Sequence, residues 1–400
     1  MHIFRSMGHV IGGTLLIAAT MVGVGMLGLP IATGPGGFLP ASVVYLITWL
    51  FMLSTGLLLL EVCTWMPKDA NLITMTHRLL GPIGQSICWV VYLFLFFTAM
   101  IAHVAGGGST MADLIHLAFG VRIPEAVSMI GYVMLFSPVV YMGTRTVDRF
   151  NFAMMIVVLI TYFSFIFLSA GHVTLKHLSY VNWSQAWPAL PVLFTAFTYQ
   201  LIIPTLMSYM DQNAKKVRLS IILGTSIPLV IYLVWEFLIL GIIPVEQLIS
   251  AKAEGHTAVM PLKELLNNPW IFKIGSIFAF FVLTTSYIAL ALAFLDFLAD
   301  GLKVKKVGIK KIGLCLAIFT PPTIIALLYP GIFIKALEYA GGISCAILFG
   351  LLPPVMVWVG RYIKKYKHYG EQLRGGKLTL SVLILFVFVE FVMQVINHMM

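Results

Sequence analysis

Apolar stretches of membrane-crossing length recur along this chain, with short polar intervals between them. A helix spanning the hydrocarbon core needs roughly 20 mainly apolar residues. The pattern predicts eleven: 9–31, 38–63, 85–107, 124–142, 152–171, 188–208, 219–241, 270–295, 312–329, 333–357 and 378–397. The intervals are too short for a soluble domain. The largest external ones are 172–187 and 242–269, and the second, carrying Pro244, Pro261 and Pro269, is predicted to form short helices over the external mouth of the protein. A second span follows the first at once, which reads as an anchored segment rather than a cleaved leader.

Two spans are interrupted in mid-course. The first contains Gly23-Val24-Gly25-Met26-Leu27-Gly28-Leu29-Pro30, an unusual density of helix breakers. Lipid cannot satisfy loose backbone groups, so unwound chain at that depth survives only where protein encloses it, as at a binding site. In the sixth, Phe194-Thr195-Ala196-Phe197-Thr198-Tyr199-Gln200-Leu201 runs up to Pro204, which removes one helical hydrogen bond and clashes with the preceding turn. Spans 1 and 6 run in opposite directions, five spans apart. Matching breaks in two such halves point to an inverted-repeat transporter. Residues 1–171 form the first repeat, 188–357 the second, and 378–400 a peripheral eleventh span.

Composition and charge support this reading. Hydrophobic residues make up 60% of the chain and charged residues 10%, against about 25% charged in soluble domains. With the N-terminus inside, nineteen of the 25 Lys and Arg residues fall on the internal side, from Arg5 to Lys377. The other six are Arg122, Lys176, Lys252, Lys263, Lys273 and Lys335. That bias assigns a cytoplasmic N-terminus and an external C-terminus. The net charge of +10 thus serves topology and lipid contact, not nucleic acid. All four cysteines lie inside spans, without metal or disulfide spacing.

The chemistry of the breaks is electrostatic. Free amides near Val24 and Gly25, at the positive end of a half-helix, suit a carboxylate. Carbonyls near Ala19, Thr20 and Val22 suit an ammonium group or a cation, so a zwitterion fits both ends. Tyr92, Phe96, Phe97, Phe194, Phe197 and Tyr199 are candidate pocket aromatics. The Thr284-Thr285-Ser286 hydroxyls either back-bond within their helix or face the first break as a cation-sized oxygen cage. Glu236 and Glu390 are the deepest carboxyls, functional candidates by location. Lys335 and Glu338 lie one turn apart. Glu61 and Asp296 read as water-accessible at the internal ends, and His103 as packing. Gly23 to Gly28 matches G-x-G-x-x-G, but without the strand, helix and acidic residue of a dinucleotide site. No phosphate-binding loop, catalytic triad, paired aspartates or metal cluster appears, which counts against the rival reading from another class, a membrane-embedded enzyme.

Several dispersed stretches resemble the hydroxy and aromatic amino acid permeases, nearest their tyrosine-specific bacterial branch. They are Val24 to Pro30, Leu57 to Val62, Met207-Ser208-Tyr209-Met210-Asp211, Ile227-Pro228-Leu229-Val230, Phe297-Leu298-Ala299-Asp300, and Pro321-Pro322 with Leu328-Tyr329-Pro330. The resemblance implies an all-α inner-membrane symporter of eleven transmembrane helices. Its fold would be the five-plus-five inverted repeat (APC/LeuT-like) of the amino acid–polyamine–organocation superfamily, with discontinuous helices 1 and 6. It would import an aromatic amino acid, tyrosine ahead of tryptophan, with a proton and without an organic cofactor. By the same resemblance Ala19, Thr20, Gly23, Val24, Gly25, Phe194, Thr195, Thr198, Tyr199 and Gln200 contact substrate. Thr284 and Thr285 match the hydroxyl pair that completes a cation site in sodium-coupled relatives, so Val22, Thr284, Thr285 and Glu236 are the coupling candidates. A sodium-coupled or broader neutral amino acid carrier is the alternative within transport. In span 6 this chain reads Thr198-Tyr199-Gln200-Leu201 where many members carry Gly-Phe-His-Gly, a bulkier pocket wall.

Overall fold

The computed structural model describes residues 2–68, 70–265, 269–329, 331–367 and 372–399. Pro330, and the side chains of Arg5, Lys263 and Pro269, lie outside the described residues. Among the described residues the fold is helical throughout, with no strand. The helices are α1 (His2–Met21), α2 (Val24–Thr33), α3 (Phe38–Thr64), α4 (Leu72–Phe119), α5 (Glu125–Met142) and α6 (Thr144–Ser169). The second half contains α7 (Leu190–Ala196), α8 (Ile203–Tyr209), α9 (Ala214–Ile242), α10 (Val245–Glu254), α11 (Pro269–Gly301) and α12 (Gly308–Leu328). The tenth span starts as α13 (Phe333–Tyr339), winds as a π-helix over Ala340–Leu351, and continues as α14 (Leu352–Trp358) and a second π turn to Ile363. Last comes α15 (Gly376–Met399). Ten segments are long and apolar enough to cross a membrane, and the α1–α2 pair, bent by 55°, makes an eleventh. Outward-facing apolar side chains such as Phe152, Phe163 and Phe167 on α6 are the surface expected against lipid.

The hydropathy pattern begins the third span at residue 85, whereas α4 starts at Leu72. Its N-terminus is capped by Asn71, whose side chain accepts from the Thr74 amide at 2.9 Å. Pro82 disfavours helical backbone in the residue before it, and Gly81 absorbs the kink at φ +76°.

The helices pack as two groups. In one, α1 and α2, α3, α7 and α8, and α9 lie against one another; in the other, α4, α5, α6, α11 and α12 do so. The tenth span touches both, through α3 and α7 on one side and α4 on the other. Glu61 corrects the expectation of water access. It is buried and takes a bidentate pair of hydrogen bonds from Arg361, joining α3 to the end of the tenth span. Asp296, by contrast, lies near the surface and pairs with Lys306 at 2.8 Å.

Candidate functional site

Helical winding lapses at Val22 and Gly23. Gly23 is extended at φ −158°, and no side chain caps the first turn of α2. The leading amides of any helix have no partner within it, so Val24 and Gly25 begin α2 with their N–H groups pointing back into the break. In the other interrupted span, α7 ends at Ala196, Phe197 to Tyr199 are non-helical, and Gln200–Ile202 makes a 3-10 turn into α8. The Gln200 side chain folds back so that its Oε1 accepts from the Tyr199 amide at 3.0 Å.

The two breaks lie side by side. A Cβ on Gly25 would sit 2.6 Å from the Ala196 Cα, so only glycine permits this approach of α2 to α7. Tyr232 of α9 then joins the two ends. Its hydroxyl lies 2.6 Å from the Met21 carbonyl and 2.9 Å from the Ala196 carbonyl, the last turns of α1 and α7. Across the break, Gly23 faces the hydroxyl of Ser286 on α11.

One turn beyond Tyr232, Glu236 is fully buried. Tyr45 of α3 donates to its Oε2 at 2.6 Å, and Thr33, at the end of α2, contacts its Oε1. Thr33 Oγ1 also lies 2.7 Å from the Leu29 carbonyl. This cluster ties α2, α3 and α9 together.

The remaining candidate residues divide by where their side chains point. Ala19 and Thr20 lie on the exposed face of α1, with Thr20 Oγ1 donating back to Leu16, and Val22 is half-buried. Phe194 stacks on Phe51 at 5.3 Å and 11°. Thr195 donates to the Leu337 carbonyl at 3.0 Å, and Thr198 to Phe194 at 2.7 Å. Tyr199 and Gln200 both turn to α3, donating to the Met52 carbonyl at 3.2 and 3.3 Å. A Cβ on Gly56 would overlap the Tyr199 hydroxyl, so glycine makes room for it. Thr284 and Thr285 donate to Phe280 and Val282 of their own helix. Tyr232, Thr33 and Tyr45 are site residues that no motif announced, each placed by a contact across helices, whereas Ser286 belongs to the hydroxyl cluster that the sequence singled out.

A cavity of about 360 Å³ adjoins the second break, at the face where the chain passes from α3 to α4. Gln200, Leu201 and Thr205 form one wall, Tyr92 and Phe96 of α4 and Phe297 of α11 another. Phe96 and Phe297 lie 5.2 Å apart. The volume falls within the range of small-molecule sites, about 300–1,000 Å³. A larger groove of about 570 Å³ between α5 and α12 is lined by outward-facing apolar residues such as Met134 and Leu316, away from both breaks.

The fold is that of an all-helical, multi-pass membrane protein, with a bend at Val22 and Gly23 and an irregular turn over Phe197 to Tyr199. Residues 7–394 match the tryptophan/tyrosine permease family, and the chain belongs to it. It is 30% identical to "Tyrosine-specific transport system 1" of Haemophilus influenzae, over 94% of each chain. It is also 30% identical to "Tryptophan-specific transport protein" of Pseudomonas aeruginosa, over 94% of this chain and 92% of the relative. "Low affinity tryptophan permease" of Escherichia coli is 25% identical with the same coverage. The protein is thus a transporter and not an enzyme.

Proposed function

We propose that this chain imports an aromatic amino acid, tyrosine ahead of tryptophan, by proton symport across a bacterial inner membrane, with its N-terminus cytoplasmic. The observation that carries the reading is the meeting of two helix ends at one point, the Met21 and Ala196 carbonyls on the Tyr232 hydroxyl. Beside it stand the uncapped first amides of α2. A zwitterion needs acceptors for its ammonium group and donors for its carboxylate, and this place offers both poles. The aromatic cavity along Tyr92, Phe96 and Phe297 would take the ring. The relatives' names supply the substrate class.

The five-plus-five inverted repeat draws support from the packing. Spans 1, 2, 6 and 7 group together, and so do 3, 4, 8 and 9 together with span 5, whose counterpart five spans on, the tenth, touches both groups. Each group holds pairs of spans five apart, as two copies of one unit would supply. Alternating access would rock one group against the other.

Proton coupling draws support from a hydrogen count at Glu236. The contacts of Thr33 with Leu29, Thr33 with Glu236, and Tyr45 with Glu236 need three hydrogens. Thr33 and Tyr45 supply two. Ionised Glu236 therefore leaves one contact without a proton. The neutral acid donates to Thr33, which then donates to Leu29, and every contact is made. One proton thus changes a network that ties α2 to α3 and α9.

Uptake of labelled tyrosine into proteoliposomes tests the whole reading. An acidic exterior is expected to drive accumulation without sodium. Accumulation only with a sodium gradient would transfer the coupling to the sodium alternative. Gly25→Val is expected to abolish uptake with membrane insertion intact, because the added side chain separates α2 from α7; normal uptake would remove the site from the first break.

A further inference from the structure

Glu390 on α15 is a second membrane-depth carboxyl, and the mechanism above makes no use of it. It is 1% exposed, and among the described residues neither of its oxygens has a hydrogen-bond partner. The elements that pack most on α15 are the π-wound segment Ala340–Leu351, α14, α7 and the turn Trp187–Ala189. Of their residues only Cys345 is titratable, and it lies beside Glu390. Ser344, on the same π-wound segment, has a buried hydroxyl also without a partner.

One turn toward the face opposite the N-terminus, Gln394 lines a polar cavity of about 380 Å³ with Lys252, Lys335, Glu338 and Tyr339. Lys252 and Glu338 pair there at 4.0 Å. The Gln394 amide presses on Gly342, where a Cβ would fall 2.6 Å from its Nε2. The carboxyl therefore lies one helical turn below a polar cavity, against a π-helix. Such windings often occur at functional sites. An ionised carboxylate without donors or a counter-charge is strongly disfavoured in such surroundings, and a carboxyl at that depth is by default a functional candidate.

We propose that Glu390 is a proton-binding site served by this cavity through Gln394, and that its charge controls how the π-wound part of the tenth span packs against α15. The neutral acid sits in apolar contact. The ionised form draws in donors, the Ser344 hydroxyl and the Gln394 amide, and so shifts the π-wound segment that also touches α4 and α7. The transport consequence rests on the carrier reading; the proton site does not.

Infrared difference spectra of the reconstituted full-length protein, recorded between acidic and alkaline pH, test the site. A carboxylic-acid C=O band that titrates in the natural protein is expected to vanish in Glu390→Gln, and an unchanged spectrum would overturn the assignment. In the same vesicles, the dependence of tyrosine uptake on external pH is expected to flatten in Glu390→Gln; a profile identical to that of the natural protein would refute control of transport. If the natural protein moves no aromatic amino acid, the carrier reading fails while the infrared result still decides Glu390. Should Glu390→Gln not fold, Gln394→Leu keeps the carboxyl and removes its polar link to the cavity. Proton exchange is then expected to slow several-fold, and an unchanged rate would count against the route.

Discussion

The hydroxyl of Tyr232 answers a problem that both interruptions create. Each break leaves the last carbonyls of a half-helix without helical partners, and in a membrane interior such groups must be satisfied by protein. One side chain on α9 serves an acceptor from each of them. In Tyr232→Phe two buried carbonyls lose the single hydroxyl hydrogen they share, which costs about 1–3 kcal/mol. At the proposed site a bound ammonium group would compete with that hydroxyl for the same carbonyls. The variant is therefore expected to melt at lower temperature in detergent yet to bind tyrosine more tightly, by thermal shift and equilibrium binding. Loss of stability together with loss of affinity would mean that the hydroxyl is only a fastening. Nothing in the sequence around Tyr232 marks this role, because its partners lie 211 and 36 positions away.

Among the elements, the third and tenth spans depart most from their hydropathy pattern. The third gains its first turns from Asn71 capping and a positive-φ glycine before proline, local chemistry that a window average hides. The tenth is π-wound over Ala340–Leu351, a winding with the same apolar signature as an α-helix. Its far end is held to α3 by the buried Glu61–Arg361 pair. Breaking a buried ion pair by removing one partner costs about 3–5 kcal/mol, more than the pair itself is worth. Arg361→Ala is accordingly expected to destabilise strongly, and Glu61→Gln combined with Arg361→Gln to recover much of the loss in thermal unfolding. Equal stability of the double and single variants would show that the uncompensated charge is not the cause.

For the whole molecule, the position of Glu236 matters more than its depth. It joins the end of α2, α3 and α9, all in the packing group that contains both breaks. On the proposed mechanism, a proton taken up there and a substrate held at Met21 and Ala196 would act on the same helix, one turn apart on α9. Glu236→Gln keeps the shape and removes the exchangeable proton. Uptake driven by a pH gradient is expected to fall at least tenfold, while exchange of internal for external tyrosine continues. Retention of gradient-driven accumulation would move coupling elsewhere, with Glu390 the next carboxyl to examine.

The all-helical, multi-pass character of the chain and the approximate positions of its ten or eleven apolar spans were legible in the sequence. Each depends on the local run of apolar residues and helix breakers, and lipid imposes that constraint on every segment separately. Only the tertiary structure decided which side chains meet at the breaks. It turned Tyr199 and Gln200 toward α3, and it brought Tyr232, Ser286, Thr33 and Tyr45 to the places where backbone or carboxyl needed partners. The physical reason is that hydropathy measures a residue's preference for lipid or water, whereas a hydrogen bond across the bundle depends on the rotation and approach of helices far apart in the chain.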